Sequence, residues 1–188
     1  MQHLVDSTRQ AVRDQNWYAA LTLALTLPDI AAKLDGRAGG SERRYVSWFD
    51  DYLAANYRDQ LLEANECYAD QMFEGGDCYA LRCAYLHEGD FDFSDHRARN
   101  ALERIHFVVM LPGEVFHCNL WDDTKLYLQV DLFCEEVCLA VEKWLSARGQ
   151  DPIVAAAIAQ LPRFEIIQGF RRMRLSGPEF IKPGDPDS

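Results

Sequence analysis

The chain has 188 residues, 48% of them hydrophobic, with 30 acidic against 19 basic side chains and a formal net charge of −11. That is enough apolar material for one globular core, which excludes disorder of the whole chain. The acidic balance excludes a continuous nucleic-acid groove, because phosphate contacts need clustered cations, so any RNA chemistry must be local.

No run reaches the roughly 18 uninterrupted apolar residues of a membrane span. The start, MQHLVDSTRQ, lacks a basic stretch leading into an apolar one, so no secretory signal is read and a cytoplasmic location is expected. The six cysteines (Cys67, Cys78, Cys83, Cys118, Cys134 and Cys138) are then expected as reduced thiols rather than a disulfide frame.

Leu4, Val5, Thr8 and Val12 recur at helical spacing and predict a short amphipathic first helix. Asn16 can cap the next segment, WYAALTLALTLPDIAAKL, whose apolar residues lie on nearly every side and mark it as a central buried helix. Pro28 removes a backbone donor, so a kink or interruption is expected there, with Asp29 at the break. After the loop DGRAGGSE, Ser41 opens a third helix. In it, Tyr45, Trp48, Phe49, Tyr52, Leu53 and Tyr57 form an aromatic stripe, expected in the core rather than as a base-stacking platform.

Residues 58–74 read as irregular helix. Gly75-Gly76 then breaks the chain, and Asp77 caps a helix over CYALRCAYLHE that Gly89 stops. Phe91 to Ser94 reads as a loop and HRARNALERIH as a further helix. IHFVVML, EVFHCNLW and KLYLQV are short, apolar and rich in β-formers, and predict at least a two-stranded hairpin between about Val115 and Val130. Asp131 is then expected to cap a strong helix with Leu132, Phe133, Val137, Val141 and Leu145 inward, and a short Ala-rich helix follows Pro152. The reading is a mostly α, helical-bundle fold in one domain over 1–188, with a small β insertion at about 105–130 and a frayed tail at about 175–188.

Arg82 and His87 carry the most chemical information. Arg82 falls in the middle of an apolar arc made by Cys78, Tyr79, Leu81, Tyr85 and Leu86, and a guanidinium there must meet a carboxylate, carbonyls or an anion. His87 lies about 140° further round, at the helix end, where the dipole favours its charged form. In a shared groove, most simply one between two subunits, such a pair supplies metal-free RNA cleavage. Arginine holds the scissile phosphate and imidazole moves protons at the ribose 2′-hydroxyl and the leaving oxygen. A rival pair, Arg99 and His106, is seven residues apart and nearly on one helical face. Asp77 and Glu88 flank the motif and can serve as auxiliaries that orient it.

The motif Arg82-x4-His87 inside a bundle of this size resembles the HEPN superfamily of helical ribonucleases and toxins. NWYAALTLALTLPDIAAKL, RYVSWFDDYL, DCYALRCAYLHEGD and LQVDLFCEEV are similar to a bacterial group of HEPN-like proteins, over roughly residues 15 to 145. The resemblance implies a HEPN-like fold, a homodimer whose two motif copies build one metal-independent RNase centre, roles for Arg82 and His87, and no cofactor or metal. It also implies an RNA substrate, service in stress response or phage defence, and an inhibitory or regulatory protein partner. Two positions depart from the family pattern: Cys83 follows the motif arginine where a polar residue is common, and Gly89 stands where silenced toxins carry a tyrosine.

Plainer roles stand beside these. Arg82 can pair with Asp29, Asp50 or Asp131, and His87 can bond free helix-end carbonyls. Cys78, Cys83 and His87 do not have zinc-knuckle spacing, and Cys134 and Cys138 fit as small buried thiols on one helical face. Arg163, Arg171, Arg172 and Arg174 form the one concentration of positive charge. Walker, dinucleotide-binding and nucleophile-elbow motifs are missing from the sequence. The alternative to a nuclease is a non-catalytic HEPN-like module that binds nucleotide, RNA or a partner protein.

Overall fold

A computed structural model describes residues 1–58, 73–86, 96–121 and 125–162 of the chain. The irregular segment after residue 58, the loop at Phe91 to Ser94, the basic cluster from Arg163 and the tail at about 175–188 lie outside the described residues. No described helix is long and apolar enough to cross a membrane.

Helical spacing of apolar residues produces α1 (Gln2–Arg13) and α2 (Trp17–Leu34), and the Asn16 side chain starts the second by accepting from the Ala19 N–H at 3.4 Å. Ala20, Ala24, Leu25, Ala31 and Ala32 are fully buried, as an all-round apolar pattern requires of a central helix. The helix runs through Pro28 without the expected interruption. Two side chains bond the carbonyls near the proline: Thr26 Oγ1 donates to Leu23 O at 2.7 Å, and the Tyr45 hydroxyl donates to Leu25 O at 3.0 Å. Burial of Leu25, Leu27, Pro28, Ala31 and Ala32 offsets the remaining cost of the lost ladder bond.

Tyr45, Trp48, Phe49, Leu53 and Tyr57, on α3 (Ser41–Tyr52) and just beyond it, are fully buried, so the aromatic stripe is core. The Phe49, Tyr57 and Phe73 rings pack with centroids 4.8 to 6.0 Å apart. The Gly75-Gly76 pair does not break the chain as expected. It forms the buried first turn of α4 (Gly75–Leu86). Asp77 therefore sits inside the helix rather than before it, where its carboxylate accepts from the Glu74 N–H at 3.1 Å in the manner of a capping box.

The missing side chain is what lets α4 lie against α3, since a Cβ on Gly75 would meet the Val46 Cα at 3.1 Å and the Phe49 Cβ at 3.2 Å. Gly75→Val is expected to push the two helices apart at a cost of about 1–3 kcal/mol. Thermal melting should fall by roughly 2–4 °C for each kcal/mol lost in a chain of this length; an unchanged melting temperature would mean the helices yield freely.

The chain passes from α5 (His96–Arg104) directly into β1 (Ile105–Val108), then to β2 (Asn119–Trp121) and β3 (Lys125–Gln129). The expected hairpin is the antiparallel β2–β3 pair. The sheet order is β1-β3-β2, and β1 joins β3 in parallel, which the sequence did not anticipate. Leu126 and Leu128 are fully buried on the inner face, where Phe107 packs 5.3 Å from Phe133. α6 (Val130–Arg148) follows at once and buries Phe133, Val137, Val141 and Trp144. Gln129 is its cap residue, so Asp131 sits in the first turn and is not the cap. α7 (Pro152–Ala159) is capped by Asp151, which accepts from the Ile153 N–H at 2.9 Å.

Ion pairs fasten the helix ends. Arg9 of α1 meets Glu135 and Glu142 of α6 at 2.7 and 2.6 Å, and Asp35 beyond α2 accepts from Arg37 and Arg148 at 3.0 and 2.9 Å. Burial alone would raise the Asp35 carboxyl, but Arg148 and Arg37 hold it below its ordinary value. A depressed acid stabilises the fold above its unfolded pKa, and that contribution is lost as pH falls through the folded pKa. The chain is therefore expected to lose stability as pH drops below about 4. Asp35→Asn should flatten that acid limb in urea melts at pH 3 and 5; an identical limb would remove Asp35 from the account.

Candidate functional site

Arg82 projects from the penultimate turn of α4 toward α2, the packing of α4 on α2 and α3 having set its direction. Its Nη2 donates to Asp29 Oδ2 at 2.9 Å, with the two side chains only 17% and 24% exposed. Of the three acids the sequence offered, Asp29 is the partner, presented one residue after Pro28 on an unbroken helix. Burial works against the Arg82 charge, yet the Cys83 sulfur and the Asp29 carboxylate together raise its pKa above the ordinary value. Nη1 lies 3.9 Å from Cys83 Sγ, and the guanidinium carbon stands 5.9 Å from the centre of the Tyr79 ring.

A polar seam continues behind this pair. The Tyr79 hydroxyl and Ser41 Oγ are 2.9 Å apart, and the Tyr79 ring meets that of Tyr45 edge-on at 5.5 Å. Because the Tyr45 hydroxyl donates to Leu25 O, the Cys78 thiol at 3.1 Å is the donor to its oxygen. Burial pushes that thiol up to about 12, so Cys78 is a neutral packing residue and not a nucleophile. Cys83 is half-buried, and the described cysteines are all free. Among the described residues, no group of three or more His, Cys, Asp or Glu side chains is arranged to hold a metal ion.

His87 and Glu88 follow α4 directly in sequence and lie outside the described residues. Asp77 is occupied structurally by the Glu74 amide and by an ion pair with Arg104, which ties α5 to α4. The rival pair does not share a helical face, because α5 ends at Arg104 and His106 is the second residue of β1. His106 Nε2 lies 3.1 Å from Glu103 O, and its ring stacks on Tyr127 at 5.3 Å.

The sequence reading missed a histidine–carboxylate pair. His117 Nδ1 accepts from the Gln129 N–H at 3.0 Å, which places the ring proton on Nε2, and Nε2 donates to Glu136 at 3.2 Å. The His117 side chain is 5% exposed and stands beside the Tyr57 ring. No spacing rule could have revealed it, since loop and helix meet only in the folded chain. A cleft of about 170 Å³ lies between α1 and α6, lined by Thr8, Arg9, Arg13, Asp131 and Glu135 among others, and does not include Arg82.

Comparisons with family models, with curated proteins and with solved structures return no match to this chain.

Proposed function

We propose that this chain is a metal-independent endoribonuclease of HEPN type. It works as a homodimer on RNA, in stress response or phage defence, under the control of an inhibitory or regulatory protein. The observation that carries the reading is the Arg82–Asp29 contact, which holds a permanently charged guanidinium in place on the helix that leads into His87. Arg82 would hold the non-bridging oxygens of the scissile phosphate and offset their developing charge. The 2′-oxygen attacks phosphorus as His87 takes its proton, and the bond to the 5′-oxygen breaks as a second imidazole, from the other subunit, protonates that oxygen. The products are a 2′,3′-cyclic phosphate end and a 5′-hydroxyl end.

Purified protein incubated with RNA and EDTA tests this, with the cyclic phosphate ends quantified. Cutting that persists in EDTA and is lost in both Arg82→Ala and His87→Ala supports it, whereas cutting that requires a divalent ion sinks the mechanism. The second reading, a non-catalytic binding module with α4 as its dimer seam, is favoured by the same ion pair. Asp29 engages the guanidinium within one protomer, as a purely structural cation requires.

A further inference from the structure

The outer face of the small sheet carries a row of rings. Strand alternation turns Ile105, Phe107, Leu126 and Leu128 inward and leaves His106, Lys125 and Tyr127 on the other side. His106 and Asn119 flank Tyr127 in register, one on each neighbouring strand. The His106 and Tyr127 rings are near-parallel, 25° apart in tilt with centroids at 5.3 Å, and Phe116 adds a third ring 5.6 Å from Tyr127. All three are half-buried, and Asn119 is exposed. The connection from β1 to β2 crosses the end of β3 and fixes Phe116 there, through its N–H to Gln129 Oε1 at 2.9 Å.

We propose that this face is a stacking platform for the bases of single-stranded RNA. The inference rests on the nuclease reading for its ligand class and names where the RNA lies beyond the cut. Bases extend a stack of rings whatever their identity, and a sheet face is a recurrent place for such recognition. Lys125 shares the face and offers a cation to a phosphate. Asn119 offers an amide for a base edge at the end of the row.

The test is fluorescence anisotropy with a labelled 12-nucleotide 2′-O-methyl oligouridine, which cannot be cut because its attacking oxygen is blocked. Wild type should bind, Tyr127→Ala should weaken binding about tenfold or more, and Tyr127→Trp should retain it. Lys125→Gln should reduce the salt dependence. Phe116→Ala gives the same reading should Tyr127→Ala fold poorly. Equal binding by wild type and the ring variants, or no binding by wild type, overturns the platform and leaves this face to a protein partner. Ring-dependent binding without any RNA cutting keeps the platform and removes the nuclease; cutting with ring-independent binding does the reverse.

Discussion

Arg82→Ala is expected to reduce EDTA-resistant RNA cleavage by at least about 100-fold, the typical cost of removing one donor aimed at developing charge. The same change leaves Asp29 half-buried without its cation. A fully buried orphan costs about 3–5 kcal/mol, and partial exposure of both groups brings this to about 1–3 kcal/mol. Activity measured well below the melting temperature therefore separates the two effects. A charge exchange, Arg82→Asp with Asp29→Arg, sharpens the distinction. It should recover much of the lost stability by restoring an ion pair, but it moves the guanidinium from α4 to α2 and away from the chain that leads into His87. Stability regained with cleavage still absent supports a reactive role. Recovery of every measured property by the exchanged pair would reduce Arg82 to a structural cation and favour the non-catalytic module.

The largest loss of stability outside the apolar core is expected from His117→Ala. It takes the acceptor from the Gln129 N–H and a donor from Glu136, and opens space beside Tyr57. Depriving buried polar groups of partners costs about 1–3 kcal/mol each, so a loss of about 2–4 kcal/mol is expected. At roughly 2–4 °C per kcal/mol, the melting temperature should fall by about 5–15 °C. His117→Phe keeps most of the volume but neither hydrogen bond, and should be nearly as unstable. Were the phenylalanine variant as stable as the native chain, the hydrogen bonds would contribute nothing and the position would be one of packing alone. Because this residue pins the loop that carries Phe116, both variants should also disturb the outer sheet face.

Local periodicity made much of the architecture legible without coordinates. The mostly helical class, the cap at Asn16, the buried α2, the aromatic stripe in the core and the β2–β3 hairpin all follow from residues a few positions apart. So did the requirement that Arg82 find a counter-charge, because a guanidinium cannot shed its proton on an apolar helix face. Where the reading went wrong, a neighbour distant in sequence had overridden a local preference. Pro28 stays helical because α2 is buried and its nearby carbonyls find hydroxyl donors, one of them from α3. Gly75-Gly76 is helix rather than break because α3 needs a bare backbone against it.

The choice of Asp29 over Asp50 or Asp131, across 53 residues of chain, was decided by how α4 packs on α2. The parallel seating of β1 and the meeting of His117 with Glu136 arose in the same way. Each is a contact between elements whose order along the chain says nothing about their distance in space, and burial of the shared apolar surface is what brings them together.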